Sequence, residues 1–217
     1  MHGRLGAVGI VPVVAIENVD QALPLADALL DGGIPLIEVT FRTNAAAEVI
    51  RILSRERPRL LGGAGTVLTQ ENAEAAFKAG AQFAVAPGLN PKMVRFAAEL
   101  GLPFVPGVAT PSDIELALSL GCRLVKFFPT ELLGGVEMLM AFYGPYGHTG
   151  VQFIPTGGVN PDNLEAYLRC EAVAAVGGTW LAKREHLAKG QWDEIRKRCN
   201  TAVQTVQRLR AARTTGA

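Results

Sequence analysis

Lys126 stands inside Leu124-Val125-Lys126-Phe127-Phe128-Pro129, a run that is otherwise apolar. If the run is a β-strand, alternation puts Leu124, Lys126 and Phe128 on one face and Val125 and Phe127 on the other. Lysine is almost never fully buried unless it is paired. Out of water its charged form is disfavoured, and a free amine is a nucleophile able to form a Schiff base with a carbonyl substrate. Glu38 poses the matching problem in Leu36-Ile37-Glu38-Val39-Thr40. Ile37 and Val39 suit a helix layer, which turns Glu38 toward the opposite face, where an unpaired carboxylate is costly. Two readings stand side by side: a catalytic amine with a catalytic acid/base, or a Lys126–Glu38 ion pair that serves structure alone.

Two glycine-rich segments suit an anion. Thr156-Gly157-Gly158 and Gly177-Gly178-Thr179 each follow an apolar run. Paired glycines let the backbone approach closely and turn its N–H groups toward a phosphate. Arg42, in Phe41-Arg42-Thr43, has the fork geometry to clamp a carboxylate with two parallel hydrogen bonds, or is an ordinary surface arginine. Thr66, closing Gly62-Gly63-Ala64-Gly65-Thr66, offers a hydroxyl and a backbone N–H.

These residues need elements to carry them. Short apolar runs recur at Ile10–Ile16, Pro35–Thr40, Leu60–Ala64, Phe83–Ala86, Phe104–Val108, Leu124–Phe127, Val151–Pro155 and Val173–Val176. Amphipathic stretches with a 3.6-residue period lie between them, such as Val19–Leu30, Ala45–Arg55 and Gln70–Ala79. Gly80, Gly101 and Gly121 sit where helices end, and Asn90-Pro91, Thr110-Pro111 and Asn160-Pro161 read as N-cap plus first helical residue. Strands alternating with helices predict an α/β fold with a parallel sheet, closed as a single (β/α)8 TIM barrel over residues 1–217. A doubly wound sheet is the alternative, but Gly63-Ala64-Gly65-Thr66-Val67-Leu68 lacks the third glycine of its fingerprint. In a barrel the active residues come from the C-terminal strand ends, and the loops after the seventh and eighth strands are the usual phosphate site.

Composition narrows the partners. The 217 residues carry 21 Lys+Arg against 20 Asp+Glu, a net charge of +1 that offers no field for nucleic acid or an acidic membrane. The basic residues Arg196, Lys197, Arg198, Arg208, Arg210 and Arg213 read as the solvated face of a last helix. Cys122, Cys170 and Cys199 form no CxxC, and His2, His148 and His186 form no HxH or HExxH, so no disulfide framework and no metal site are expected. The uncharged stretch Leu5–Ile16 after Arg4 contains Pro12 and runs into Glu17, which predicts a buried first strand rather than a secretion signal. With no run near the ~18 apolar residues of a membrane span, a cytoplasmic protein is expected.

Taken in order, Ile37-Glu38-Val39-Thr40-Phe41-Arg42-Thr43, Gly63-Ala64-Gly65-Thr66-Val67-Leu68, Ala86-Pro87-Gly88, Pro106-Gly107-Val108, Val125-Lys126-Phe127-Phe128-Pro129 and Pro155-Thr156-Gly157-Gly158-Val159 resemble the class I 2-keto-3-deoxy-6-phosphogluconate (KDPG) aldolases of the Entner–Doudoroff pathway. The resemblance runs from about Val11 to Trp180 and beyond. It implies Lys126 as the Schiff-base lysine and Glu38 as the general acid/base. It implies Arg42 and Thr66 on the pyruvyl carboxylate, Pro87 and Thr156 among the substrate-binding residues, and Gly157, Gly158, Gly178 and Thr179 around the phosphate. It further implies no cofactor, a phosphorylated keto acid as partner, and a homotrimer. Thr179 stands where relatives often have serine, and Leu132-Leu133 replace smaller or polar residues on the rim. A galactonate epimer or 4-hydroxy-2-oxoglutarate remains open as the substrate. A phosphosugar isomerase or epimerase and a non-catalytic phosphate binder are the readings outside aldol chemistry.

Overall fold

The computed structural model describes residues 2–215. Its strands are β1 (Ile10–Val14), β2 (Leu36–Thr40), β3 (Leu61–Gly65), β4 (Ala84–Val85), β5 (Phe104–Val105), β6 (Gly107–Val108), β7 (Leu124–Phe127), β8 (Gln152–Pro155) and β9 (Val176–Gly178). All pairings are parallel, in the orders β5-β4-β3-β2-β1-β9 and β6-β7-β8. Isolated bridges Phe153↔Val173 and Thr156↔Gly177 join β8 to the segment of β9, and the curled sheet closes as an eightfold barrel. The fifth expected strand is present in two halves. Proline has no N–H to donate to a ladder, so β5 pairs with β4, β6 pairs with β7, and Pro106 between them only accepts, from the Lys126 N–H at 2.8 Å.

The helices are α1 (His2–Val8), α2 (Ala22–Asp31), α3 (Ala46–Glu56), α4 (Gln70–Lys78), α5 (Pro91–Glu99), α6 (Pro111–Ser119), α7 (Gly135–Tyr146), α8 (Leu164–Arg169), α9 (Arg184–Ala188) and α10 (Trp192–Thr215). Thr110 begins α6 in a full capping box: its hydroxyl accepts the Asp113 N–H at 3.2 Å and the Asp113 carboxylate accepts the Thr110 N–H at 3.0 Å. Asn90 caps α5 in a simpler way, accepting the Lys92 N–H at 3.0 Å. The Asn160-Pro161 expectation fails. Asn160 closes a turn onto the Asp162 N–H at 2.8 Å instead, and α8 starts only at Leu164. The uncharged stretch from Leu5 also divides, its first turn belonging to α1 and its remainder to β1. Leu5 is apolar because α1 buries it in the core.

Alternation along β2 sorts the layers. Ile37 and Val39 are fully buried beneath the helices, while Glu38 and Thr40 are buried on the lumen side. Cations on α10 are engaged with acids: Arg196 with Asp193 at 2.9 Å, Arg198 with Glu194 at 2.7 Å and Arg208 with Glu165 at 2.6 Å. These pairs leave that face mixed in sign rather than uniformly basic.

His186 on α9 is buried and its Nδ1 accepts the Lys183 N–H at 3.3 Å, an arrangement for neutral imidazole. Burial, and then the nearby Arg198 charge, hold it below the ordinary histidine value of 6.5, against weaker pulls from Glu185 and Glu194. The folded state therefore binds this proton less readily than the unfolded chain does. The stabilisation is complete above pH 6.5 and is lost as pH falls through the lowered value. Melting temperature measured against pH should show that acid-side decline, and His186→Gln should flatten it; an unchanged slope would place the proton-linked step elsewhere.

Candidate active site

At the C-terminal mouth of the barrel a cavity of about 230 Å³ opens. Lys126 rises from β7 and Glu38 from β2, strands that are not neighbours in the sheet. Their side chains meet across the lumen, Nζ to Oε1 at 3.5 Å, with residue exposures of only 6% and 3%. The Lys126 ammonium also lies 5.4 Å from the centre of the Phe128 ring, its neighbour on the same strand face. The following Phe128-Pro129 peptide is cis.

Small residues make room for this pair. A Cβ on Gly65 would fall 2.2 Å from Glu38 Oε1, and one on Gly63 would fall 2.2 Å from the Phe83 ring that fills the barrel interior. Strand β3 thus yields its inward space to a carboxylate and an aromatic ring from its neighbours.

One wall of the cavity is Arg42, Thr66 and Pro87. Thr40, buried beneath Arg42, accepts the Arg42 Nε–H at 3.2 Å and donates its own hydroxyl to the Val14 carbonyl at 3.2 Å. That relay fixes the base of the guanidinium. Thr66 takes φ of 56°, in the left-handed region that few non-glycine residues occupy. The opposite wall is Thr156, Gly157, Gly158, Gly178 and Thr179, on the ends of β8 and β9. Gly157 and Gly158 have φ of 95° and 91°, which suits glycine alone. Among the described residues no protein group accepts the N–H of Gly158 or Val159, while the Thr156↔Gly177 bridge turns the Gly157 N–H toward the Gly177 carbonyl.

All ten residues singled out in the sequence line this one cavity. Val13, Thr40, Phe128, Val159 and Gly177 line it too and were not singled out. Thr40 and Phe128 carried a usable signal, since each lies two residues from a selected charge on the same strand face. Among the described residues no group of three or more His, Cys, Asp or Glu side chains is placed to hold a metal ion. None of the described helices is long and apolar enough to cross a membrane.

The family model for KDPG and KHG aldolase (KHG being 4-hydroxy-2-oxoglutarate) matches residues 2–198. The chain belongs to that family. It is 46% identical over 192 residues to 2-dehydro-3-deoxy-phosphogluconate aldolase of Haemophilus influenzae, covering 88% of this chain and 90% of the relative. It is 40% identical over 195 residues to the KHG/KDPG aldolase of Escherichia coli K12, covering 90% and 91%. Among solved structures, KDPG aldolase from Legionella pneumophila, with pyruvate captured at low pH as a covalent carbinolamine intermediate, superposes with a TM-score of 0.89 at 37% identity, covering 93% of this chain and 98% of that one.

The crowding at Gly65 is open to a direct check in this aldolase-family chain. Gly65→Ala forces the Glu38 carboxylate out of its place, and overpacking of this kind costs about 1–3 kcal/mol. A fall of roughly 2–4 °C in melting temperature per kcal/mol is expected. An unchanged melting temperature would mean that Glu38 moves aside freely.

Proposed function

We propose that this chain is a class I aldolase that cleaves 2-keto-3-deoxy-6-phosphogluconate to pyruvate and glyceraldehyde 3-phosphate, as one barrel domain. The observation that carries this reading is the buried Lys126 amine, 3.5 Å from the Glu38 carboxylate on the floor of the cavity. Lys126 Nζ attacks the C2 ketone and forms a carbinolamine, which loses water to give an imine. The imine draws electrons from the C3–C4 bond. Glu38 takes the C4 hydroxyl proton, the bond breaks, and glyceraldehyde 3-phosphate departs. The enamine left on Lys126 is protonated at C3, and hydrolysis releases pyruvate and restores the amine. The imine is the electron sink, so these steps use no cofactor.

In this scheme Arg42 and Thr66 hold the pyruvyl carboxylate, with Pro87 packed beside it. Thr156 meets the hydroxylated chain. Gly157, Gly158, Gly178 and Thr179 hold the phosphate through backbone N–H groups and the Thr179 hydroxyl. The unclaimed N–H of Gly158 supports that assignment. By family likeness we extend the proposal to a cytoplasmic homotrimer. The KHG/KDPG name of the Escherichia coli relative keeps 4-hydroxy-2-oxoglutarate as a second substrate.

Borohydride added with pyruvate should label Lys126 covalently and inactivate the enzyme, as read by peptide mapping. Glu38→Gln should still be trapped but turn over about 10²-fold more slowly, within the usual range for a positioned acid/base. Labelling of another lysine, or none, would remove the imine scheme. Normal turnover in Glu38→Gln would reduce Glu38 to a structural counter-ion.

The phosphate assignment has its own measure. Each charge-assisted hydrogen bond is worth about 1.5–3 kcal/mol, so losing two or three lowers kcat/KM by roughly 10²–10⁶. An analogue without the phosphate should show that loss against the phosphorylated substrate. Equal cleavage of the two would mean that the glycine loops are ordinary turns.

A further inference from the structure

The three peptide carbonyls at the glycine turn of the cavity are all held from behind. The Thr156 carbonyl accepts the Thr130 N–H at 2.9 Å, and the Gly157 carbonyl accepts the Glu131 N–H at 3.1 Å. The Gly158 carbonyl accepts from two side-chain amides, Asn160 Nδ2 at 3.1 Å and Asn163 Nδ2 at 3.3 Å. In a trans peptide the N–H points opposite to the C=O. Pinning the carbonyls of residues 156, 157 and 158 therefore sets the direction of the N–H groups of Gly157, Gly158 and Val159. Of these, the N–H groups of Gly158 and Val159 have no acceptor among the described residues.

Asn163 is committed to this task. It occupies the N-cap position of α8, yet its side chain makes no cap hydrogen bond to the helix. Its Oδ1 instead accepts the Asn160 N–H at 2.8 Å while its amide reaches Gly158. One helical turn on, Tyr167 is almost fully buried and donates its hydroxyl to Glu131 Oε1. Its phenol is pushed up to about 12 by burial and by the Glu131 carboxylate, which keeps it a donor. Glu131 is the floor of the turn: a Cβ on Gly158 would lie 2.4 Å from its Cγ. The side chain that Tyr167 anchors and the N–H that holds the Gly157 carbonyl belong to the same residue.

We propose that Asn163 and Tyr167 are positioning residues that aim the backbone N–H groups of Gly158 and Val159 at the substrate's phosphate, with Val159 as a further backbone donor. Neither side chain lines the cavity; each acts through a carbonyl or through Glu131. The inference rests on the phosphate assignment made above. A peptide free to turn would present its carbonyl to the anion, and affinity for the phosphorylated end would fall while the imine chemistry at Lys126 continued.

Asn163→Ala and Tyr167→Phe test this on the full chain. Asn163→Ala removes two neutral hydrogen bonds and Tyr167→Phe removes one to a carboxylate, so KM for the phosphorylated substrate should rise about tenfold or more. The kcat should stay within about threefold, since truncation leaves the groups that touch the reacting carbons in place. The Ki of inorganic phosphate should rise in parallel. Kinetics on the unphosphorylated analogue and borohydride trapping with pyruvate should match the wild type, which also shows that the variants are folded. If both substrates weaken alike, or neither changes, the two residues only support α8 and the proposal is overturned. If the wild type itself makes no distinction between the substrates, the phosphate assignment falls and this inference falls with it.

Discussion

Two opposite charges facing each other across a barrel interior, each almost wholly buried, are expensive to build. Desolvating an ammonium and a carboxylate costs several kcal/mol each, and the attraction between them repays this only with good geometry. Much of the surrounding structure follows from that constraint. Lys126 and Glu38 come from strands on different parts of the sheet, so only closure of the barrel brings them to 3.5 Å. Gly65 leaves the space the carboxylate occupies, and the Phe128 ring lies beside the ammonium. A well-packed apolar pair would serve stability as well or better. Keeping the charges there is intelligible when the amine has to attack a carbonyl and a neighbouring group has to carry protons.

The two walls above the pair use different kinds of donor. Arg42 brings a full charge on a long side chain, steadied at its base by Thr40. The glycine wall brings only backbone dipoles, which act in concert when their peptides are held in one orientation. A guanidinium can search for its partner; a peptide N–H must already point the right way. This difference explains why the hydrogen bonds behind the turn, from Thr130, Glu131, Asn160 and Asn163, are so dense.

The chain announced its chemistry more clearly than its joints. A lysine and a glutamate inside apolar strands break a strong rule, and strand parity alone aims both into the lumen. The glycine pairs are legible because few other residues accept φ near 90°. Element boundaries were harder. Pro106 divides a strand that hydropathy reads as continuous, because the apolar pattern is blind to a missing N–H. Asn160-Pro161 carries the letters of a helix start but forms a turn whose asparagines serve the glycine loop. Glu131 and Tyr167 gave no signal at all: they are 36 residues apart, one is an ordinary surface acid in a loop, and the other reads as a core aromatic.

Thr66 adds a last consequence. A non-glycine residue held in a sparsely populated backbone region costs of order 1–3 kcal/mol. Its φ of 56° would suit glycine, and glycines occupy three of the four positions before it. The chain nonetheless carries a side chain there, on the cavity wall beside Arg42. On the role proposed for Thr66, folding stability and reactivity are in direct opposition at this one position. A protein selected only to melt at the highest temperature would relax Thr66 to glycine and surrender its hydroxyl, so a search for thermostable variants would drift toward this residue and away from activity.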